Sequence, residues 1–124
     1  MFRSLLLVAV AGSVGCSGQP SPPAPSDPAT ARATLVKVLD AWKGGESLDA
    51  FKAANPTITP VNRPWQQGLK LSDYTIDEKT EMSGYDVRFT VRETSADGKK
   101  SSEKATYNVS TTPKLVVVRA EAGG

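Results

Sequence analysis

Hydrophobic residues recur at helical spacing from Pro28 to Lys43, while polar and charged residues fill most of the remaining positions. Asp27 suits the cap position before such a helix, and Pro28 suits its first turn, where a missing amide costs nothing. Gly44-Gly45 predicts the end of the helix after Lys43. The spacing therefore predicts a helix over 28–43 that buries one apolar stripe: Ala31, Leu35, Val38, Leu39 and Trp42.

A shorter helix is predicted over 48–54, because Ser47 can cap it and an Asn-Pro pair follows it. It would pack on the same core through Leu48 and Phe51. The segment 56–68 contains three prolines and is expected to be irregular. Three of its apolar side chains are expected to fold back onto the core: Ile58, Val61 and Trp65.

From residue 69 onwards the apolar period changes to two, which is typical of half-buried strands. Residues 69–76 alternate in two opposite phases, which predicts a β-bulge near Ser72-Asp73. Residues 85–91 alternate cleanly with Tyr85 inward, and residues 105–109 do the same after a predicted turn at Asp97-Gly98. Residues 115–118 are continuously apolar, as in a strand at mid-sheet that is covered on both faces.

Together these elements predict an α+β fold. The N-terminal amphipathic helix and the short second helix would pack on a curved antiparallel sheet of about four strands. We expect a single domain over 30–121, followed by a flexible tail over 122–124. A domain of this size buries only about 60–65 % of the surface that its unfolded chain exposes, so it has one modest core.

The first 15 residues have the composition of an export signal: a positive start at Arg3, an apolar run over 5–10, and small residues before a cysteine. The segment Ser13-Val14-Gly15-Cys16 resembles the lipobox of bacterial lipoprotein signals, although that family usually has leucine where this chain has Ser13. The resemblance implies that residues 1–15 are a signal peptide and that Cys16 is acylated on its thiol. The acyl chains would then attach the protein to a membrane.

Two other interpretations of this segment stay open: an ordinary signal peptidase could cut after Ala11, or the apolar run could persist as a signal anchor. The run is much shorter than the roughly 20 residues that span a bilayer. A cut after Ala11 would leave Cys16 as a thiol with no second cysteine in the chain. Lipidation accounts for Cys16 better, and Ser17 at the following position favours the outer membrane over the inner one by the same resemblance.

Residues 16–29 are expected to form a disordered tether between the acylated cysteine and the domain. The stretch from Ser17 to Pro28 carries five of the nine prolines and no large apolar residue, so it cannot pack a core. Extended polyproline II rises about 3.1 Å per residue, which gives the tether a reach of roughly 35 Å.

The composition excludes several classes of chemistry. Histidine is absent and Cys16 is the only cysteine, so the usual ligands of zinc, copper and iron are missing, as are Ser-His-Asp and Cys-His sites. We therefore expect no metal, no cofactor and no enzymatic activity. The 15 Lys and Arg residues alternate with 13 Asp and Glu instead of clustering, which argues against a nucleic-acid partner.

Several short stretches resemble a family of small uncharacterised bacterial lipoproteins. They are Leu39-Asp40-Ala41-Trp42-Lys43-Gly44, Leu48 to Lys52, Trp65-x-x-Gly68-x-Lys70-Leu71-x-x-Tyr74, Tyr107-x-Val109 and Val116-Val117-Val118-Arg119. The order of elements is also similar to cystatin-like and NTF2-like folds. The resemblance implies a fold and brings no activity, because a fold alone does not transfer function.

Three aromatic residues are candidates for a ligand pocket between helix and sheet: Trp42, Trp65 and Tyr74. Each also continues a core-facing pattern, so ordinary packing is the alternative. Asp40 and Asp73 are the carboxylates nearest apolar positions, but no spacing brings them together in a catalytic site. Three arginines can flank a polar sheet face that binds an anion, or pair with neighbouring carboxylates: Arg88, Arg92 and Arg119.

The sequence thus favours a non-enzymatic, lipid-anchored envelope domain that uses its sheet or an exposed edge to bind a protein partner or a second copy of itself. The alternative is a small-ligand-binding domain with its pocket at the three aromatic residues. An NTF2-like enzyme is a further alternative.

Overall fold

The computed structural model describes residues 25–96 and 102–120. The expected signal peptide, Cys16, all but the end of the tether, the turn at Asp97-Gly98 and the C-terminal tail lie outside the described residues.

The described residues fold into three helices and five strands, so the α+β class is confirmed. The helices are α1 (Pro28–Lys43), α2 (Leu48–Ala54) and α3 (Arg63–Gln66). The strands are β1 (Ile58–Val61), β2 (Leu71–Ser83), β3 (Asp86–Ser95), β4 (Ser102–Ser110) and β5 (Leu115–Arg119). The first two helices have the bounds that their caps and apolar spacing predict.

The sheet has the strand order β1-β5-β4-β3-β2, which differs from the expected four antiparallel strands. The additional strand is β1, which pairs in parallel with β5, so the sheet is mixed. Its proline, Pro60, hides this strand from a sequence reading, because proline cannot donate a ladder hydrogen bond. An edge position such as that of β1 tolerates the missing donor.

The N-terminus of α1 is fixed by its cap and by the chain that precedes it. The Asp27 carboxylate accepts a 2.8 Å hydrogen bond from the Thr30 amide, and this bond lowers the pKa of Asp27. The Ser26 amide donates to the Tyr85 carbonyl, and the Thr111 amide donates to Ser26 Oγ, both at 2.9 Å. Ser26, four residues ahead of the expected domain start, is therefore already bonded to the domain.

One hydrophobic core fills the space between the helices and one face of the sheet. The whole predicted stripe of α1 is buried there, together with Leu48 and Phe51 of α2 and Trp65 of α3. The sheet contributes every second residue of its central strands: Val87, Phe89 and Val91 of β3, Ala105, Tyr107 and Val109 of β4, and Val117 of β5. We call this the inner face of the sheet.

Five apolar positions are more exposed than the sequence pattern predicts. Val61 and Tyr85 are 49 % and 53 % exposed, because Val61 lies on the outer face of β1 and Tyr85 in the turn between β2 and β3. Leu69 precedes β2 and is 44 % exposed. The strand β5 does lie between β1 and β4, but Val116 and Val118 are only half-buried, because no described helix covers the outer face.

The long edge strand β2 is irregular at two places. The predicted bulge is confirmed, since the register with β3 shifts between Leu71 and Asp73. A second shift, between Ile76 and Thr80, was not predicted, because the polar run there carries no apolar period.

Candidate functional site

Charged residues extend the inner face of the sheet at the end farthest from Ser26. The alternation that buries Val91 of β3 continues to Glu93, which is 5 % exposed, and the alternation of β5 continues to Arg119, which is 9 % exposed. In the register, Glu93 lies opposite Glu103 and Arg119 lies opposite Tyr107. Glu93 is seven residues from the start of β3, about 23 Å at 3.3 Å per residue.

Arg119 joins these groups into one hydrogen-bonded cluster. Its Nε and Nη2 donate to Glu93 Oε1 at 3.2 and 3.0 Å, and Nη2 also donates to Glu103 Oε1 at 3.1 Å. The Tyr107 hydroxyl donates to Glu93 Oε2, and Asn62 Nδ2 donates to the Tyr107 oxygen at 3.3 Å. We call these five residues the polar cluster.

The surroundings of Tyr107 and Arg119 in the polar cluster raise the pKa of both groups and so keep both protonated. Burial and the adjacent Glu93 carboxylate raise the pKa of Tyr107, so its hydroxyl stays a donor. Burial alone would lower the pKa of Arg119, but its bonds to Glu93 outweigh that effect and raise it. Glu93 Oε1 accepts twice from Arg119 and Oε2 accepts from Tyr107, so both oxygens of the buried carboxylate are engaged within the cluster.

A cleft of about 190 Å³ opens beside the polar cluster, and we call it the distal cleft. Its charged and polar walls are Glu93, Glu103, Arg119, Lys70 and Ser95, and its apolar walls are Trp42, Pro64, Leu69 and Leu71.

Two of the three predicted pocket residues lie together next to this cleft. Trp42 and Trp65 stack with their ring centroids 6.1 Å apart and line an open groove of about 440 Å³ between the helix ends and the start of β2. The Trp42 Nε1 donates to the Leu69 carbonyl and the Trp65 Nε1 to the Glu46 carbonyl, each at 2.8 Å. The two indoles thus pin the loops on either side of the groove to the core.

Tyr74 lies apart from the two tryptophans, because it lines neither the groove nor the distal cleft. Its hydroxyl donates a 2.6 Å hydrogen bond to Asp40 on α1. Burial and this carboxylate raise the pKa of Tyr74 to about 12.

The second candidate carboxylate, Asp73, has a different partner. It accepts from Lys43 Nζ at 3.3 Å, and the Tyr74 amide and Lys43 lower its pKa. Asp40 and Asp73 are both exposed and are engaged by Tyr74 and Lys43. Neither carboxylate lines the groove at the two tryptophans or the distal cleft.

The outer face of β3 and β4 has no described helix over it, and we call it the open face. It consists of Arg88, Thr90, Arg92, Thr94, Ser102, Lys104, Thr106 and Asn108, which occupy alternate positions of the two strands. Arg88 donates to Ser83 Oγ at 3.0 Å and to Asn108 Oδ1 at 3.4 Å. Of the three candidate arginines, Arg88 and Arg92 lie here, whereas Arg119 lies on the inner face.

Arg92 and Lys104 are direct cross-strand partners on the open face. Between residues 25 and 96 and from 102 to 120, neither side chain makes a hydrogen bond or an ion pair. Together with Thr75, Thr90 and Asp77 they line a shallow depression. Like charges directly opposite each other destabilise a sheet, and Asp77 supplies the carboxylate that lines this depression beside them.

The sequence left two alternatives for Arg119, flanking a polar sheet face or pairing with a neighbouring carboxylate such as Glu93, and the structure shows the pairing. Sequence reasoning did not single out Glu93 and Glu103 as site residues. The signal was nevertheless present, because Glu93 continues the inward alternation of Val87, Phe89 and Val91.

No group of carboxylates and cysteines suited to a metal ion occurs in the described ranges. Of the helices described, none has the length and apolar character needed to cross a bilayer. Comparisons of the chain with protein-family models, with curated proteins and with solved structures give no match.

Proposed function

We propose that this protein is a non-enzymatic, lipid-anchored cell-envelope domain that binds an acidic protein partner through its open face. The finer fold assignment, to the cystatin-like and NTF2-like folds, is part of the same proposal. It is supported by α1 packing across an antiparallel set of strands, with β1 as an addition at the edge.

The observation that carries the proposal concerns Arg92 and Lys104, which lie opposite each other on neighbouring strands. Within the described residues, neither side chain makes a hydrogen bond or an ion pair. Because the two cations are cross-strand neighbours, an external carboxylate can contact both at once. Threonine hydroxyls surround the pair on the same face and add neutral donors: Thr75, Thr90 and Thr106. A partner that supplies carboxylates would relieve the repulsion within the pair, so binding and local electrostatics act in the same direction.

The sheet edges are less suitable than the open face. Pro60 lies within β1, and β2 carries two register shifts with the charged residues Asp77, Glu78 and Lys79 at the second. Proline, bulges and charges are the devices that prevent pairing of an edge strand with another chain. The face, not an edge, therefore remains the surface for a partner.

The described ionisable groups give little support to catalysis. Glu93, Arg119 and Tyr107 are bonded to one another, while Asp40 and Asp73 are held by Tyr74 and Lys43. An acid or base needs a free position within reach of a substrate.

The anchoring part of the proposal rests on the sequence around Cys16. We propose that acylated Cys16 attaches the chain to the outer membrane and that the proline-rich tether enters the domain at Ser26. Cys16→Ala should then abolish the incorporation of labelled palmitate into the protein in the native bacterium. Labelling that persists in the variant would contradict the lipid anchor.

The interaction is tested by photo-crosslinking in the native envelope. We would place p-benzoylphenylalanine at Thr90 on the open face and, as a matched control, at Lys37 on the exposed side of α1. The proposal expects a discrete adduct from position 90 alone, and loss of that adduct when Arg92→Glu and Lys104→Glu are added.

Two outcomes would contradict it. Equal adducts from positions 90 and 37 would indicate random encounters, and an adduct that survives both charge reversals would show that the basic pair does not recognise the partner.

A further inference from the structure

The guanidinium of Arg119 is not fully used by the fold. Its side chain is 7 % exposed, and its Nε and Nη2 are bonded to Glu93 and Glu103. Within the described residues, Nη1 makes no hydrogen bond, although it carries two N–H groups. A buried donor without an acceptor costs about 1–3 kcal/mol, so such donors normally have a partner.

Two further groups beside the distal cleft have unused bonding capacity. Glu103 accepts from Arg119 through Oε1 only, and its side chain is 64 % exposed. Lys70 is exposed and makes no ion pair with any residue in the described ranges. The cleft therefore offers free donors from two cations and a free acceptor from one carboxylate.

The charges around the distal cleft balance. Glu93 and Glu103 carry two negative charges, and Arg119 and Lys70 carry two positive charges. A ligand with a net charge would leave one sign uncompensated, whereas a neutral ligand without charged groups would desolvate Lys70 and the second carboxylate oxygen of Glu103 without giving either a partner. A ligand that carries one charge of each sign satisfies both conditions.

Size and the apolar wall narrow the ligand further. The cleft volume of about 190 Å³ lies below the range of roughly 300–1,000 Å³ that holds drug-sized molecules. Trp42, Leu69 and Leu71 form an apolar wall on one side. The ligand is thus a small zwitterion with a hydrophobic part.

We propose that the distal cleft binds a free α-amino acid with an apolar side chain. Its carboxylate would accept from Arg119 Nη1 and Lys70, its ammonium group would donate to Glu103, and its side chain would lie against Trp42 and Leu71. The distal cleft is on the inner face of the sheet and the proposed partner surface is on the outer face, so this site is independent of partner binding.

The test is isothermal titration calorimetry on the full chain in a mild detergent, with L-leucine and L-phenylalanine as probes. N-acetyl-leucine, which lacks the ammonium group, and leucine amide, which lacks the carboxylate, separate a zwitterion site from a site for one chain terminus. We expect both derivatives to bind at least about tenfold more weakly than leucine, the effect of losing about 1.4 kcal/mol of interaction.

Glu103→Gln and Lys70→Ala are the informative variants, because both side chains are exposed and their replacement leaves the core intact. Each should weaken leucine binding about tenfold. Glu81→Gln is the matched control, because Glu81 is an exposed carboxylate on β2 that does not line the cleft. This variant should bind leucine with the same affinity as the unmodified chain.

Three results would overturn the proposal. They are the absence of saturable heat with either amino acid up to about 10 mM, equal binding of leucine and one of its derivatives, and leucine binding unchanged in both variants. The circular dichroism spectrum of each sample, recorded alongside, establishes that the chain is folded in every comparison.

Discussion

Arg119→Met removes the guanidinium that bridges Glu93 and Glu103. Methionine has a similar length and no charge, so the packing around Tyr107 is largely kept and the electrostatic change is isolated. Glu93 would stay buried opposite Glu103 with only the Tyr107 hydroxyl as a donor. Removing one partner of a buried ion pair costs about 3–5 kcal/mol, because the remaining charge is uncompensated.

This cost is large for so small a domain. A domain of about 90 residues has a total unfolding free energy of roughly 5–14 kcal/mol, so the variant should lose about a fifth of its stability or more.

The assay is urea unfolding at neutral pH, followed by tryptophan fluorescence. Arg88→Met is the matched control, because Arg88 is exposed on the open face and its loss should cost below about 1 kcal/mol. A double variant, Glu93→Leu with Arg119→Met, should recover most of the lost stability, since it removes both buried charges. A deficit below about 1 kcal/mol for Arg119→Met would refute the reasoning.

Three further predictions concern other parts of the domain. Because burial and Asp40 raise the pKa of Tyr74 to about 12, the folded chain keeps this phenol protonated and loses stability as the pH rises above about 10. Thermal unfolding between pH 8 and 12 should therefore show a smaller loss of stability with rising pH in Tyr74→Phe than in the unmodified chain. Gly68 has φ = 88° and open space where a Cβ would lie. Gly68→Ala should therefore lower the free energy of urea unfolding by about 1–2 kcal/mol, and Gly68→Asn should lower it less. Equal losses would contradict backbone strain as the cause. Lys104→Glu turns the repulsive cross-strand pair with Arg92 into an attractive one. The midpoint of urea unfolding should therefore rise by the equivalent of about 0.5–1 kcal/mol, and the crosslinked adduct at position 90 should disappear. An unchanged midpoint would show that the Arg92–Lys104 repulsion does not lower stability.

The helices were predictable from the sequence because their signals are local. Asp27 and Ser47 act as caps through their own side chains, and both helix bounds follow from residues within one turn of the ends. The strand β1 depends instead on β5, more than fifty residues away in the chain, and nothing local to Pro60 announces that pairing. The same distance along the chain explains why the exposure of Val61 was not predictable, because its outward direction is set by the register with Val118.

The candidate site was only partly predictable, and the reason lies in how alternation was used. The apolar alternation of β3 ends at Val91, so it predicts inward-facing side chains only up to that residue. The backbone period does not depend on polarity, so Glu93 and Arg119 had to point inward as well. An ionisable residue that continues an apolar alternation lies on the core face, and where it is buried it requires a partner of opposite charge, which Glu93 of β3 finds in Arg119 of β5, on the far side of β4. Two such residues of opposite sign in one sheet therefore predict a buried ionic cluster, and the place where their strands end predicts where it opens to solvent.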